Sequence, residues 1–432
     1  MNTNLLTTIH LANPWLKDPT APIFWLPQYV PRIQFSTLQK QLSSSLMMLL
    51  TGPRQAGKTT LARRFCQELV DTKAYTTVLY LNCDEALVRE WLTGSHVLHD
   101  IETILHTRHF ILFIDEVQRL ETPGLILKAI YDLHWPIKII ATGSSQLEIK
   151  SKVQEHLTGR HFEALILPLS CQELGDRWDF HVNTLYGSYP QIFLEAEKTL
   201  YLENLYKNYI NKDIIEILQV RNADTMRHLL GLMAHAAGQL VNYQQLATDC
   251  RVSSPTIQHY LSILENTYVL KAITPFTGNK RTEITSNPIY YFLDNGFRNQ
   301  ALNNFSALEN RTDLGLLIEG FVFQELYKLK IQYALDFEIH YWRTKSGAEV
   351  DFVLYKNQAC FIPVEVKYRT FNAPKISRGF RSFLQSYAPK RAIIITKDWY
   401  GDSIIEGVTI HFVPFSTIST SMELVRSFFL SE

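Results

Sequence analysis

Residues 52–59 read Gly-Pro-Arg-Gln-Ala-Gly-Lys-Thr and lie between an apolar run at 46–50 and a helical pattern at 60–70. A strand, a glycine-rich turn and a helix in this order are typical of a phosphate-binding loop. The glycines allow backbone N–H groups to curl around phosphate oxygens at the positive end of the helix. We expect Lys58 to contact the terminal phosphates and Thr59 to offer its hydroxyl to Mg²⁺. The stretch therefore predicts an ATP site, and a glycine turn without a function is the alternative.

A second motif completes the predicted nucleotide site. The apolar run 110–114 ends in Asp115 and Glu116, and ligands of open α/β sheets bind at the carboxyl ends of the strands. We expect Asp115 to orient Mg²⁺ and Glu116 to polarise the attacking water, which makes the site a hydrolase. An Asp-Glu pair alone is more often a solvated turn, but the upstream loop favours the functional interpretation.

Further polar residues follow the next apolar run, 137–141. Thr142 and Ser144 are candidates to sense the γ-phosphate or to position the water, and a simple strand exit is the alternative. Arg160 is a candidate catalytic cation, acting in its own subunit or in a neighbour's. The predicted nucleotide-binding residues are Gly52, Pro53, Arg54, Gln55, Ala56, Gly57, Lys58, Thr59, Thr60, Asp115, Thr142 and Ser144.

The spacing of apolar runs predicts an α/β fold. Runs of strand length are separated by stretches long enough for crossover helices, as a parallel sheet requires. Past residue 168 the pattern becomes helical, and a second α/β unit begins near 311. The predicted domains are an irregular, proline-rich and aromatic segment at 1–40, an ATPase domain at 41–175, a helical lid or connector at 176–230, a winged-helix-like domain at 231–310 and a second α/β domain at 311–432.

A helix-turn-helix is indicated within the middle region. An apolar-spaced helix near 246–248 is followed by a serine-capped turn and a second helix at 254–264, and residues 268–273 are the candidate start of a wing. The second helix carries Gln258 and His259 but no lysine or arginine, although phosphate contacts supply most DNA affinity. DNA reading and simple packing between domains therefore both stay open.

The C-terminal unit carries a second constellation of charged residues. A turn leads into a strand with Asp351, and a later strand ends in Glu365-Val-Lys367, which places Glu365 and Lys367 on one face. Two carboxylates and a lysine at one sheet edge suit metal-assisted phosphodiester hydrolysis with Mg²⁺ or Mn²⁺. Glu319 on the preceding helix would complete the metal ligands, with Glu325 as the competing candidate. A surface ion pair is the alternative.

Composition narrows the class of protein further. Lysine plus arginine and aspartate plus glutamate are 42 each, so no overall charge indicates a nucleic-acid or acidic partner. The five cysteines are scattered, which argues against a disulfide framework or a structural zinc. The chain lacks a leader pattern and a membrane-spanning apolar run, so we expect a cytoplasmic protein without a membrane partner. An oligomer is compatible with this composition but is not indicated by it.

Taken together, the motifs resemble a prokaryotic family of AAA-type ATP-binding proteins. The likeness rests on residues 52–61, 114–118 and 142–145, with Leu-Thr-Gly-Arg at 157–160, and it extends through Tyr-Trp-Arg-Thr and Gly-Ala-Glu-Val-Asp in the C-terminal unit. It covers nearly the whole chain beyond residue 32. One departure is Gly320, where the family usually has asparagine.

The resemblance implies an AAA-type P-loop ATPase core, a winged-helix segment and a C-terminal domain of unknown function similar to PD-(D/E)XK nucleases, a restriction-endonuclease-like fold. The nuclease-like positions correspond to Glu319, Asp351, Glu365 and Lys367. We therefore expect ATP hydrolysis to control a nuclease-like domain that acts on or near DNA. An ATP-dependent switch whose C-terminal domain only binds a partner and an ATP-gated DNA-binding protein are the alternatives.

Overall fold

The computed structural model describes residues 3–26, 28–94, 96–144, 157–216, 222–276 and 287–431. Contacts within the chain divide it into two units, Met1–Pro168 and Leu169–Glu432. Among the described residues, no helix is both long enough and apolar enough to cross a bilayer. Each unit has its own sheet.

The first unit is built on a parallel sheet of five strands in the order β2-β3-β4-β1-β5. Its central strands are buried along their whole length, because helices cover both faces of the sheet. The predicted parallel α/β sheet is confirmed. The strands are β1 (Met47–Thr51), β2 (Val78–Asn82), β3 (Ile111–Asp115), β4 (Lys138–Gly143) and β5 (His161–Leu165). The helices are α1 (Thr3–Ala12), α2 (Ile33–Leu42), α3 (Lys58–Asp71), α4 (Ala86–Leu92), α5 (Val97–Leu105) and α6 (Pro123–Tyr131).

Part of the segment 1–40 that was predicted to be irregular is helical, since α1 and most of α2 lie within it. Helix α1 has 10 residues, which is too short for a stable isolated helix, so its stability depends on the burial of Leu5 and Ile9. The side chain of Asn13 bonds to both backbone groups of Tyr80 in edge strand β2, at 2.9 and 2.7 Å. Trp15 donates to the carbonyl of Val78 at 2.9 Å. The N-terminal segment thus closes an edge that would otherwise be open to pairing.

The second unit contains a mixed sheet of eight strands in the order β12-β13-β11-β10-β9-β8-β6-β7. Its strands are β6 (Leu270–Pro275), β7 (Ile289–Phe292), β8 (Glu338–Arg343), β9 (Glu349–Asn357), β10 (Cys360–Lys367), β11 (Arg391–Thr396), β12 (Gly401–Ile405) and β13 (Val408–Pro414). Its α-helices are α7 (Cys171–Leu174), α8 (Phe180–Tyr186), α9 (Lys198–Asn208), α10 (Ala223–His235), α11 (Tyr243–Asp249), α12 (Ser254–Asn266), α13 (Asn295–Ala301), α14 (Leu314–Gln332), α15 (Arg378–Tyr387) and α16 (Ile418–Ser431), and a π-helix spans Tyr209–Glu216.

The predicted helix-turn-helix corresponds to α11 and α12. Ser253 caps α12 by accepting a hydrogen bond from the Thr256 N–H at 3.3 Å. Strand β6 follows and pairs with β7, while the residues between 277 and 286, where a wing would turn, lie outside the described residues. The winged-helix assignment therefore stays a prediction.

The predicted boundary at 310/311 does not separate two independent sheets. The end of β6, at Thr274 and Pro275, pairs in parallel with His340 and Tyr341 of β8. The hairpin of the middle region thereby extends the sheet of the C-terminal region. Both regions form one sheet within the second unit.

Candidate functional site

The glycine-rich loop has the backbone conformation that its sequence predicts. Gly52 has φ +139°, and a Cβ atom at this position would lie 2.0 Å from the carbonyl oxygen of Ile166, so only glycine fits. Gly57, at φ +96°, precedes the first residue of α3. Lys58 is 3% exposed, and its ammonium donates to the carbonyls of Gly52 at 3.0 Å and Pro53 at 2.8 Å.

Asp115, the last residue of β3, is the centre of the polar network beside the loop. Its Oδ1 atom accepts hydrogen bonds from the hydroxyls of Thr59, at 3.0 Å, and Thr142, while its Oδ2 atom accepts one from Tyr80 at 3.1 Å. Burial raises the pKa of the Asp115 carboxyl, and the hydrogen bonds from Thr142, Thr59 and Tyr80 oppose this shift. The order of strands explains the contact with Thr142, because β4 lies between β1 and β3.

Glu116 is held by its own backbone geometry and by a glutamine. Its φ of +56° is in the left-handed region, which turns the chain sharply after β3. The Glu116 N–H donates to the Thr142 hydroxyl at 3.1 Å, and Gln118 donates to the Glu116 carboxylate. The same amide group of Gln118 lies 2.7 Å from the hydroxyl of Ser144. Glu116 is therefore fixed from two sides at the carboxyl edge of the sheet.

The structure brings the main predicted nucleotide-site residues together. Thr59 of α3 and Thr142 of β4 both contact Asp115, and Thr142 also contacts the N–H of Glu116. Lys58 precedes Thr59 at the start of α3, and Ser144, the first residue after β4, contacts Gln118. The remaining predicted residues lie on the loop and the first turn of α3. These are Gly52, Pro53, Arg54, Gln55, Ala56, Gly57 and Thr60.

Arg160 lies at the opposite edge of the same sheet. Its carbonyl accepts the N–H of Met47, the first residue of β1, whereas the loop follows the last residue. The five residues of β1 span about 16 Å at roughly 3.3 Å per residue. The Arg160 guanidinium pairs with Asp132, with 2.9 Å between Nε and Oδ1. Arg160 therefore lies away from the loop of its own chain, and its catalytic role, in its own subunit or in a neighbour's, stays a prediction.

Sequence analysis missed two residues of this site. Tyr80 occurs within an apolar run, so its hydroxyl gave no signal that it reaches Asp115. Gln118 lies two residues after Glu116 in the motif at 114–118, and that short spacing was the available signal.

The second candidate site lies on β9 and β10 of the second unit. These strands are antiparallel with Val364 opposite Phe352, which places Asp351 beside the end of β10. The Asp351 Oδ2 atom accepts the N–H of Val366 at 2.7 Å. Glu365 and Lys367 share one face, as predicted, with 2.9 Å between Oε1 and Nζ. The two carboxylates and the lysine therefore converge.

The charges of this cluster influence one another. Burial raises the pKa of the Asp351 carboxyl, and Lys367 opposes the shift. Burial and the neighbouring Asp351 raise the pKa of Glu319. For Lys367, burial lowers the pKa, but the carboxylates of Asp351 and Glu365 outweigh it and raise the pKa above its usual value. The cluster is thus an electrostatic unit rather than a set of separate surface charges.

Glu319 and Glu325, the two candidates on α14, have different surroundings. Glu319 accepts a hydrogen bond from the Tyr291 hydroxyl at 2.6 Å and lines a cavity of about 240 Å³ together with Asp351. Glu325 forms an ion pair with Lys328 at 2.9 Å, and both side chains are 1% exposed. Its other oxygen accepts the Cys171 N–H at 2.8 Å. Glu325 therefore has a structural role in a buried ion pair. Of the two candidates on α14, Glu319 is the one that lines the cavity.

The acidic side chains of the predicted second metal centre are not arranged as a preformed metal site. Within the described part of the chain, no group of three or more histidine, cysteine, aspartate or glutamate residues is arranged to hold a metal ion. The Oε2 atom of Glu365 is nevertheless buried without a hydrogen-bond partner in the structure. A buried carboxylate oxygen without a partner is costly and fits a cation ligand.

Three family models match three consecutive regions of the chain, and two relatives match most of its length. An AAA domain matches residues 44–175, and two domains of unknown function, DUF8612 and DUF4143, match residues 177–308 and 314–418. An uncharacterized protein of Mycobacterium tuberculosis is 27% identical over 401 residues, which are 89% of this chain and 83% of the relative. An uncharacterized protein of Haemophilus influenzae is 25% identical over 394 residues, covering 86% and 94%.

Among solved structures, AMPPCP-bound DnaA from Aquifex aeolicus is 16% identical and covers 54% of this chain and 85% of its own, with a TM-score of 0.27. PCH-2 of C. elegans is 15% identical over 60% of this chain and 68% of its own, also with a TM-score of 0.27. The parallel sheet, the loop after β1 and the AAA match support a P-loop NTPase fold and ATP binding for the first unit.

Proposed function

We propose that the first unit binds ATP with Mg²⁺ and hydrolyses it. The observation that supports this best is the contact between the Thr59 hydroxyl and the Asp115 carboxylate, 3.0 Å apart, with Glu116 the next residue along the chain. Hydroxyl and carboxylate oxygens are the ligands that Mg²⁺ prefers. When bound, Mg²⁺ would neutralise charge on the phosphates.

The remaining residues have separate tasks in the proposed reaction. Lys58 would bind the terminal phosphates, and the loop N–H groups would hold their oxygens at the start of α3. Glu116 would accept a hydrogen bond from the attacking water and orient it toward the phosphorus atom. Thr142 and Gln118 would fix the direction in which Glu116 points, since they hold its backbone and its carboxylate.

Two substitutions separate binding from hydrolysis. Lys58→Ala is expected to abolish ATP binding, whereas Glu116→Gln is expected to bind ATP normally and to lose turnover. Direct measurement of nucleotide binding and of phosphate release tests both expectations. Normal turnover in both variants would overturn the roles proposed for these residues.

We further propose that ATP hydrolysis controls the C-terminal region, which is nuclease-like and associated with DNA in the cytoplasm. The convergence of Asp351, Glu365 and Lys367 supports this second function. The order of elements α14-β8-β9-β10-α15-β11 also matches the expectation of a helix followed by strands that present the acids. Asp351, Glu365 and Glu319 would hold Mg²⁺ or Mn²⁺ only after their side chains draw together around the ion, and the bound ion would lower the pKa of a water molecule. Lys367 would stabilise negative charge on a phosphodiester.

Incubation of the whole protein with plasmid or branched DNA and Mg²⁺ or Mn²⁺ tests this second function. Cleavage by the wild-type protein that is lost in both Asp351→Ala and Lys367→Ala is the expected result. Comparison with ATP, without ATP and with Lys58→Ala tests whether nucleotide controls cleavage. Absence of cleavage with either metal would favour the alternatives, an ATP-dependent switch or a DNA-binding protein with an inactive nuclease-like domain.

A further inference from the structure

A buried arginine from the N-terminal segment lies behind the glycine-rich loop. Arg32 is 6% exposed, and its guanidinium donates from Nη1 to the carbonyl of Ala56 at 2.9 Å and from Nη2 to the carbonyl of Leu167 at 2.6 Å. Ala56 belongs to the loop, and Leu167 lies two residues beyond the end of β5. The fork of a guanidinium, unlike an ammonium, can serve two such acceptors at fixed geometry.

The contact with Ala56 determines where the next N–H group points. In a planar trans peptide, the carbonyl and the following N–H point in opposite directions. Because the Ala56 carbonyl is directed to Arg32, the N–H of Gly57 is directed away from Arg32. Loops of this kind bind phosphate through N–H groups on their concave side, so a charge-assisted hydrogen bond from behind favours the binding conformation.

The second hydrogen bond of Arg32, to Leu167, is made to a segment that is itself held in place by backbone contacts. The N–H of Ile166 donates to the carbonyl of Thr51 at 2.7 Å, and Gly52 packs directly against the Ile166 backbone. Gln34, two residues after Arg32, donates to the carbonyl of Leu165 at 2.9 Å. The segment after β5 is thereby tied both to the start of the loop and to the N-terminal segment.

We infer that Arg32 is a positioning residue for phosphate binding, which holds the Ala56–Gly57 peptide of the loop in the orientation that a nucleotide requires. This inference rests on the proposed nucleotide site. Its guanidinium is directed to the carbonyl of Ala56, opposite to the Gly57 N–H, and to the carbonyl of Leu167 beyond β5, so Arg32 acts through the loop and not on the phosphates directly. Its effect therefore falls on nucleotide affinity and only weakly on turnover of bound nucleotide.

Lys138 provides a matched control for a purely structural role. It is also a buried cation of the first unit, and its ammonium donates to the carbonyls of Gln41, Ser44 and Leu46 at 3.1, 2.6 and 2.8 Å. Lys138 begins β4, at the edge of the sheet opposite to the loop. Its loss should lower the melting temperature without changing the loop.

The test compares Arg32→Gln, Arg32→Lys and Lys138→Met in the full-length protein. Binding of ATP and ADP is measured by calorimetry, kcat and KM by phosphate release, and folding by melting without nucleotide. We expect Arg32→Gln to raise the Kd of both nucleotides about tenfold, with kcat within about twofold of wild type. Arg32→Lys should be intermediate, since its ammonium still reaches one carbonyl. Lys138→Met should melt at a lower temperature and retain the wild-type Kd.

Wild-type affinity in a folded Arg32→Gln or Arg32→Lys protein would overturn the role of Arg32 and leave the nucleotide site standing. An equal rise of Kd in Lys138→Met would also overturn it, because general loss of stability would then explain the effect. Absence of nucleotide binding by the wild-type protein would overturn the proposed site, and the role of Arg32 with it.

Discussion

The hydroxyl of Tyr80 lies 3.1 Å from the Oδ2 atom of Asp115 and so reaches from β2 to the end of the neighbouring strand β3. With Oδ2 engaged, the Oδ1 atom is directed to Thr59 and Thr142. The Arg63 guanidinium lies over the Tyr80 ring, 5.2 Å from its centre, and this cation–π contact helps to hold the ring. Tyr80 therefore sets the orientation of the carboxylate proposed to bind Mg²⁺.

Removal of this hydroxyl tests its contribution. Tyr80→Phe should raise the Mg²⁺ concentration for half-maximal ATP hydrolysis about fivefold, the effect of losing one hydrogen bond of about 1 kcal/mol. Titration of ATPase activity with Mg²⁺ measures it. Tyr75→Phe is the control, because Tyr75 stacks on His109 away from this network. An unchanged Mg²⁺ dependence in Tyr80→Phe would contradict the proposed role.

Gln118 should act on turnover rather than on binding. It contacts the Glu116 carboxylate and Ser144, and it does not lie on the phosphate-binding loop. We expect Gln118→Ala to lower kcat about tenfold with unchanged ATP affinity, because Glu116 loses a fixed direction. Gln67→Ala is a control on the exposed face of α3, where Gln67 bonds only locally to Asp71. A change in Kd with normal kcat would assign Gln118 to binding instead.

Arg160 should not affect ATP binding within its own chain. Its exposed ion pair with Asp132 lies at the opposite edge of the sheet, and such pairs contribute about 1 kcal/mol or less to stability. We expect Arg160→Ala to bind ATP normally and to melt close to the wild type. If turnover falls, mixing this variant with Lys58→Ala, which retains Arg160, should restore activity only when the arginine acts on a neighbouring subunit.

The buried pair of Glu325 and Lys328 makes a prediction about stability. Glu325→Gln leaves the Lys328 ammonium buried without its counter-charge, which should lower the free energy of unfolding by about 3–5 kcal/mol. Replacing both residues by methionine should cost less than this single change. Chemical denaturation of the single and double variants gives the comparison, and a double variant less stable than Glu325→Gln would show that the pair itself is strongly stabilising.

Asp294 should make stability depend on pH. Burial raises the pKa of its carboxyl to about 6 from an ordinary 3.8, although the N–H groups of Ser188 and Gly296 favour the charged form. Between these values the folded state binds more protons than the unfolded state, so this residue lowers the free energy of unfolding as pH rises from about 4 to about 6. Asp294→Asn cannot lose the proton, so the stability of the wild type relative to this variant should fall across that range. A pH-independent difference would contradict the raised pKa.

The sequence predicted those parts of the site that local chemistry determines. The glycines at 52 and 57, Lys58 and Thr59 follow from the geometry of a loop between strand and helix, and the acids Asp115 and Glu116 lie at the carboxyl end of β3, as its apolar run predicts. Tyr80, Gln118 and Arg32 depend on which strands are neighbours and on how the N-terminal segment packs. Those relationships arise from tertiary contacts. The sequence carried no signal of them for Tyr80 and Arg32, and for Gln118 the signal was its spacing from Glu116 in the motif at 114–118.

The same distinction explains two features of the domains that the sequence did not predict. Helix α1 buries Leu5 and Ile9 against the sheet of the first unit, so its formation depends on a partner distant in sequence. The pairing of β6 with β8 joins residues more than 60 positions apart. In the C-terminal cluster, the alternation of strand residues correctly predicted that Glu365 and Lys367 share a face. The sequence could not distinguish Glu319 from Glu325 as the acid of the cluster by spacing, because the ion pair of Glu325 with buried Lys328 is visible only in the structure.

Phe276, just after β6, packs between Phe361 and Phe383 in the hydrophobic core of the C-terminal region. A fragment that begins at residue 311 would therefore have a hole where this ring lies and an open edge along β8. An expressed fragment that contains the C-terminal region should therefore begin well before β6. Recombination between genes would have to exchange the C-terminal region together with the β6 hairpin, because the interior of the C-terminal region is incomplete without Phe276.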